Sequence, residues 1–100
     1  MDKKHTAILI DSKTGMVTTS ALSFSDAQAW VGGYLEPVQL DDEHTLLVDE
    51  EGLLKGLRYG FTLDGREFVG RGVVFGDGGE NFTDCKLVLS AFVARVMIVR

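Results

Sequence analysis

The chain has one cysteine, one proline and no long uninterrupted apolar run. A single cysteine excludes an intramolecular disulfide, and the first residues lack the apolar stretch of a secretion signal. The most apolar region, residues 87–99, is too short to span a bilayer and contains Arg95. We therefore expect a cytoplasmic protein that makes no contact with membranes.

Basic residues are also scarce: ten Lys and Arg stand against fifteen Asp and Glu, and the net charge is −5. Nucleic-acid binding proteins need a basic surface, so this balance argues against direct nucleic-acid binding. Apolar residues make up 45% of the 100 residues, enough for one hydrophobic core. Length and composition thus predict a single domain over residues 1–100.

The first third of the chain predicts a hairpin followed by a short helix. Residues 6–10 and 16–20 are β-branched or apolar and flank a segment of turn-forming residues, which is typical of two paired strands. Ser25 and Gln28 fit a capping box that begins a helix. Gly32 is expected to end this helix about two turns later, because glycine readily adopts the left-handed backbone conformation.

The middle of the chain predicts further hairpins. Residues 34–38 and 44–48 have strand character, and Pro37 places the first of them at a sheet edge because proline cannot donate to a ladder. Asp64-Gly65 is the strongest short hairpin signal in the chain. Residues 71–75 form another short strand.

The last third favours a helix that Thr83 caps. Its apolar positions follow a helical period, although the many valines also permit a strand over the last seven residues. The fold class we predict is α+β: a small, mostly antiparallel sheet of hairpins with a short N-terminal helix and a C-terminal apolar helix.

Two segments resemble the signature of a family of small uncharacterised proteins of phages, plasmids and bacteria, a domain of unknown function. Residues 31–38 are similar to its V-G-G-Y-I-E-x-V segment, and residues 49–57 to its N-E-E-G-x-L-K-G-L segment. Residues 68–76 resemble a glycine-flanked strand of the same family, and Thr83-Asp84 the start of its later helix. The resemblance implies a shared fold and a genomic setting, with no reaction attached.

Chemistry-bearing residues are dispersed. His5, His44 and Cys85 form no paired-ligand pattern, so we expect no metal and no cofactor. Cys85 with His44 could pair as nucleophile and base, but no motif flanks them and core packing is the simpler interpretation of Cys85. The glycine-rich segments 70–72 and 76–79 complete no phosphate-binding motif. We assign no catalytic residue and expect a protein that is not an enzyme.

Charge is concentrated in one region, because residues 36–51 carry seven acids and no Lys or Arg. The first hypothesis is a non-enzymatic accessory protein of a phage or mobile element that binds a host or phage macromolecule, such as a protein with a basic surface. The residues proposed for the partner surface are Asp41, Asp42, Glu43, Asp49, Glu50 and Glu51.

The alternative hypothesis is a protein that binds or sequesters a small anionic ligand such as a nucleotide. The guanidinium group of arginine can bind a phosphate with two hydrogen bonds, and an aromatic ring can stack on a nucleotide base. The residues proposed for this ligand are Trp30, Arg58, Tyr59, Arg66 and Arg71. An enzyme of unknown type is a third alternative, since sequence does not display a pocket of clustered ionisable groups.

The apolar C-terminal segment also predicts self-association. A surface helix usually has a wide polar face, and a chain of this size cannot easily bury a helix on every side. We therefore expect a homodimer or higher homo-oligomer. The residues proposed for the oligomer seam are Val88, Leu89, Phe92, Val93 and Val96.

Overall fold

A computed structural model describes residues 3–99 of the chain. Within them it contains nine strands and two helices. In chain order these are β1 (His5–Asp11), β2 (Met16–Leu22), α1 (Phe24–Val31), β3 (Leu35–Asp41), β4 (His44–Asp49), β5 (Gly60–Leu63), β6 (Arg66–Val69), β7 (Gly72–Asp77), β8 (Phe82–Thr83), α2 (Leu89–Val93) and β9 (Val96–Val99).

The strands form two antiparallel sheets. The main sheet has the order β2-β1-β7-β4-β3, and the short β8 pairs with the end of β7. The second sheet has the order β6-β5-β9. Because β7 pairs with both β1 and β4, it joins the N-terminal hairpin to the β3–β4 hairpin.

The main sheet is covered on both faces, and all six residues of β4 are buried. On one face, α1 packs Ala27 and Val31 against Leu47, Val73 and Phe75. The other face packs against the second sheet and α2. The buried side chains on that side are Ile8, Ile10, Leu46, Val48, Phe61, Leu63, Val74 and Phe92.

Several local predictions are confirmed. Asp64 and Gly65 both have positive φ, 52° and 82°, and close the β5–β6 hairpin. Gly32 ends α1 in the left-handed conformation, with φ 99°. Pro37 lies in β3, an edge strand of the main sheet.

The predicted fold class is wrong. Strands make up 48% of the described residues and helices 13%, so the fold is β-rich rather than α+β. The expected C-terminal helix is reduced to the five-residue α2, and the last four described residues form β9. β9 pairs along its whole length with β5. This long-range ladder, together with the β-branched valines, outweighs the local helical period.

Two predicted helix caps are also corrected. The capping box of α1 uses Ser23 and Asp26 rather than Ser25 and Gln28. Thr83 caps no helix, because it lies in β8 and pairs with Gly76. The two helices within residues 3–99 have eight and five residues, and neither could span a bilayer.

Candidate functional site

The segment between β4 and β5 begins with a turn over residues 50–56, which we call the leucine turn. Leu53 and Leu54 lie within it, and they are 82% and 85% exposed. Scattered exposed apolar residues are ordinary on a protein surface. Two adjacent leucines this exposed, on a turn held by internal contacts, are a feature that a binding function would explain.

An ion pair between the buried carboxylate of Asp49 and the partly exposed Lys55 holds the leucine turn in place. The Asp49 side chain is 2% exposed, and its Oδ2 accepts a hydrogen bond of 2.8 Å from Lys55 Nζ. Its Oδ1 accepts a bond of 2.9 Å from the backbone N–H of Glu51. The backbone N–H of Lys55 donates to the Glu51 carbonyl. Both ends of the turn are thus tied to one carboxylate.

The same ion pair ties the leucine turn to the end of α1. Lys55 Nζ also donates to the carbonyl of Gly32, at 3.0 Å. A Cβ on Gly33 would lie 2.7 Å from Lys55 Nζ and 3.1 Å from Asp49 Oδ1, so the pair packs directly against glycine backbone. The segments 31–38 and 49–57, which carry the family resemblance, therefore meet at this point.

Replacing the cation of this pair is expected to destabilise the fold. In Lys55→Met the buried Asp49 loses a charged hydrogen bond, which costs about 1.5–3 kcal/mol. The matched control is Lys86→Met, because Lys86 and Glu43 form an exposed pair with N···O 3.4 Å. Exposed pairs contribute little. Urea unfolding of both variants measures the difference, and equal losses of stability would contradict the bracing role.

The predicted partner-surface acids divide between the two ends of β4. Glu50 and Glu51 are exposed on the leucine turn, whereas Asp42 and Glu43 are exposed at the tip of the β3–β4 hairpin. Asp49 belongs to the same predicted set, but its side chain is buried and paired. Only exposed acids are free to meet a partner.

Asp41, the remaining acid of that set, belongs to a hydrogen-bonded group with His44. The two Asp41 oxygens lie 3.0 and 3.2 Å from His44 Nδ1. Burial works to raise the pKa of Asp41, but hydrogen bonds from Glu43 N–H and His44 lower it below its ordinary value. His44 Nε2 accepts from the backbone N–H of Lys86, at 3.0 Å, so both ring nitrogens are engaged.

Cys85 lies next to Lys86 and packs against the core. Burial raises the pKa of its thiol, which disfavours the thiolate that a nucleophile needs. With its Nε2 occupied by a backbone donor, His44 is not oriented to accept the thiol proton. The geometry favours the interpretation of Cys85 as a core residue.

The residues predicted for an anionic ligand fall into two groups. Arg71 lies over the Trp30 ring at 5.0 Å, and it donates to Asp11 Oδ1 and to the Trp30 carbonyl. Arg58 and Tyr59 instead line a pocket whose other walls include Phe61, Phe68 and Val99. Arg66 lies over the Phe68 ring at 5.4 Å. Ligand binding by these residues stays a prediction.

The residues predicted for the oligomer seam differ in burial. Phe92 is fully buried in the core, and Leu89 and Val96 pack against that core while partly exposed. Val88 and Val93 are exposed. Three of the five therefore serve the chain's own core, and the seam itself stays a prediction.

Leu53 and Leu54 are not among the site residues that the sequence predicted. The available signal was two adjacent leucines inside the turn-forming segment 49–56, where no strand or helix pattern accounts for them. Among residues 3–99, no group of three or more His, Cys, Asp or Glu side chains converges in a way that could hold a metal ion.

Together these features define a small β-rich domain of two packed antiparallel sheets that exposes a braced, acidic and apolar turn. The chain belongs to the DUF3846 family, described as a domain of unknown function, whose model matches residues 4–94. Comparison with curated proteins and with solved structures gave no significant match.

Proposed function

We propose that this protein is a non-enzymatic binding protein that inserts its leucine turn into an apolar cleft of a protein partner. The observation that carries the proposal is the pair Leu53 and Leu54, exposed together on a turn that the Asp49–Lys55 ion pair braces. The further suggestion that it serves as an accessory protein of a mobile element rests only on the resemblance of residues 31–38 and 49–57 to phage and plasmid proteins.

The leucines offer enough apolar surface to anchor a complex. Burying one large aliphatic side chain contributes about 1.5–3 kcal/mol, so two such anchors contribute substantially. Binding usually loses part of this gain to the ordering of mobile loops. The buried Asp49 and its bonds to Lys55 and Glu51 hold the turn in one conformation beforehand, which reduces that cost.

Charge defines the partner further. Glu50 and Glu51 lie beside the leucines and are exposed. Of the nearby cations, Lys55 is engaged by Asp49, and Arg66, which lines the same cavity as Glu50 and Leu53, lies over the Phe68 ring. A cleft with basic side chains on its rim would complement this surface, and it would increase the rate of association at low salt.

The acids of the leucine turn are tested by a paired substitution. When purified from cells that carry the gene, the tagged double variant Glu50→Gln/Glu51→Gln is expected to retain less of the partner protein than the tagged wild-type chain does. The reason is that the two carboxylates no longer attract the basic side chains on the rim of the partner's cleft. The control, Asp42→Asn/Glu43→Gln, removes two exposed acids at the opposite end of β4 and should retain the partner fully. Equal retention by both double variants would contradict the proposed contact.

A further inference from the structure

β2 is an unprotected edge of the main sheet. It pairs with β1 over seven residues in an unbroken register, and the sheet order leaves its other side open within the described part of the chain. Edge strands of natural proteins usually carry charge, proline or a bulge that discourages further pairing. β2, with the sequence Met-Val-Thr-Thr-Ser-Ala-Leu, has no charge and no proline.

The other long edge strand shows the contrast. β3 carries Glu36, Pro37 and Asp41, and its register with β4 shifts between Gln39 and Asp41. In the second sheet the edges β6 and β9 are only four residues long, and β6 carries two charges. Among the edge strands of residues 3–99, β2 is therefore the long one that has no charge, proline or bulge to discourage further pairing.

The middle of β2 is open on both faces as well as at its edge. Residues 18–21 are all exposed, and their side chains alternate between the two faces of the sheet. Their side chains are small, which lets another strand approach closely. Met16, at the start of the strand, is also exposed, at 59%.

The order of side chains along β2 identifies the occupant. Two apolar residues are followed by three hydroxyl residues and then by two apolar residues. An antiparallel copy of the same strand, centred on Thr19, would place Thr19 opposite its mate and Thr18 opposite Ser20. Met16 would then lie opposite Leu22, and directly opposed residues share a face. Every hydroxyl would meet a hydroxyl and every apolar side chain an apolar one.

We propose that two copies of this chain pair through β2 about a two-fold axis at Thr19, so that the main sheets form one continuous sheet. Such a self-complementary contact is the geometry that a two-fold dimer requires. The absence of charge matters because the chain carries a net charge of −5, and β2 lets two copies meet without opposing like charges. This seam does not use the leucine turn, so the two proposals stand or fall separately.

Thr19→Lys tests the seam, because it would place two ammonium groups opposite each other on the axis. Sedimentation equilibrium of the full chain should show a dimer for the wild type and at least a tenfold higher dissociation constant for the variant. The control is Thr14→Lys, which adds the same charge on the β1–β2 turn. Thr19 is exposed, and circular dichroism will check that the variant folds. A dimer equally stable in both variants would overturn the proposal.

A disulfide tests the register directly. With Cys85 changed to serine, Thr19→Cys should form a covalent dimer under mild oxidation, because directly opposed residues of antiparallel strands lie within disulfide reach. Thr14→Cys in the same background should cross-link far more slowly. Equal cross-linking at the two positions would overturn the register. A wild-type chain that is monomeric even at about 1 mM, where any dimer with a submillimolar dissociation constant would form, would overturn the dimer and leave β2 open to a strand of another protein.

Discussion

Phe92→Asp is expected to leave the chain unfolded at 25 °C. Phe92 is 1% exposed and belongs to the cluster that joins α2 to the main sheet. Removing a buried phenylalanine costs about 3–5 kcal/mol, and an unpaired buried carboxylate adds to that cost. Small domains have only about 5–15 kcal/mol of stability in total, at the lower end for a chain of this length.

The neighbouring Val93→Asp provides the control. Val93 is 43% exposed, so its carboxylate can reach water and the variant should fold. Circular dichroism and thermal unfolding of the two variants measure the difference. If Phe92→Asp retained the wild-type melting temperature, the placement of α2 over the main sheet would be wrong.

The double variant Leu53→Ser/Leu54→Ser, in contrast to Phe92→Asp, is expected to keep the stability of the wild type and to lose binding of the partner protein. Both side chains are more than four-fifths exposed, and surface substitutions of this kind change the free energy of unfolding by about 0.5 kcal/mol or less. Burial of each leucine in the interface should contribute about 1.5–3 kcal/mol, so the double variant would bind roughly 100-fold more weakly or worse.

Titration calorimetry against the purified partner, alongside thermal unfolding, separates the two effects. The matched control is Met97→Ser, which removes another exposed apolar side chain, in β9. It should bind the partner as the wild type does. Loss of binding together with a large loss of stability would mean that the leucines support the fold rather than a contact.

The hairpins were predictable because their signals are local. Asp64-Gly65 requires positive φ at two successive residues, and few residue types adopt it. Pro37 cannot donate to a ladder, which indicated an edge strand before any sheet order was known. Gly32 ended α1 for an equally local reason.

The C-terminal segment was not predictable in the same way. Its apolar spacing fits a helix, and its valines fit a strand, so local preference does not decide between them. β9 forms because β5 offers a free edge more than thirty residues earlier in the chain. Only the pairing of distant strands reveals that partner, and this is why the predicted fold class failed.

The candidate site was predictable only in its charge. The acids of residues 36–51 stood out in the sequence, but nothing local separates buried Asp49 from exposed Glu50. That difference arises where Gly33 and Lys55 meet, which depends on the β3–β4 pairing. The exposure of Leu53 and Leu54 likewise depends on which surfaces the rest of the chain leaves uncovered.

Site-specific photo-cross-linking at position 53 tests the proposed contact most directly. A photoreactive phenylalanine analogue at Leu53 should cross-link to one protein partner in cells that carry the gene. The same analogue at Glu80, which is exposed on the β7–β8 loop, is the control. The proposal predicts a discrete covalent product from position 53 alone. No product, or the same product from both positions, would contradict a binding role for the leucine turn.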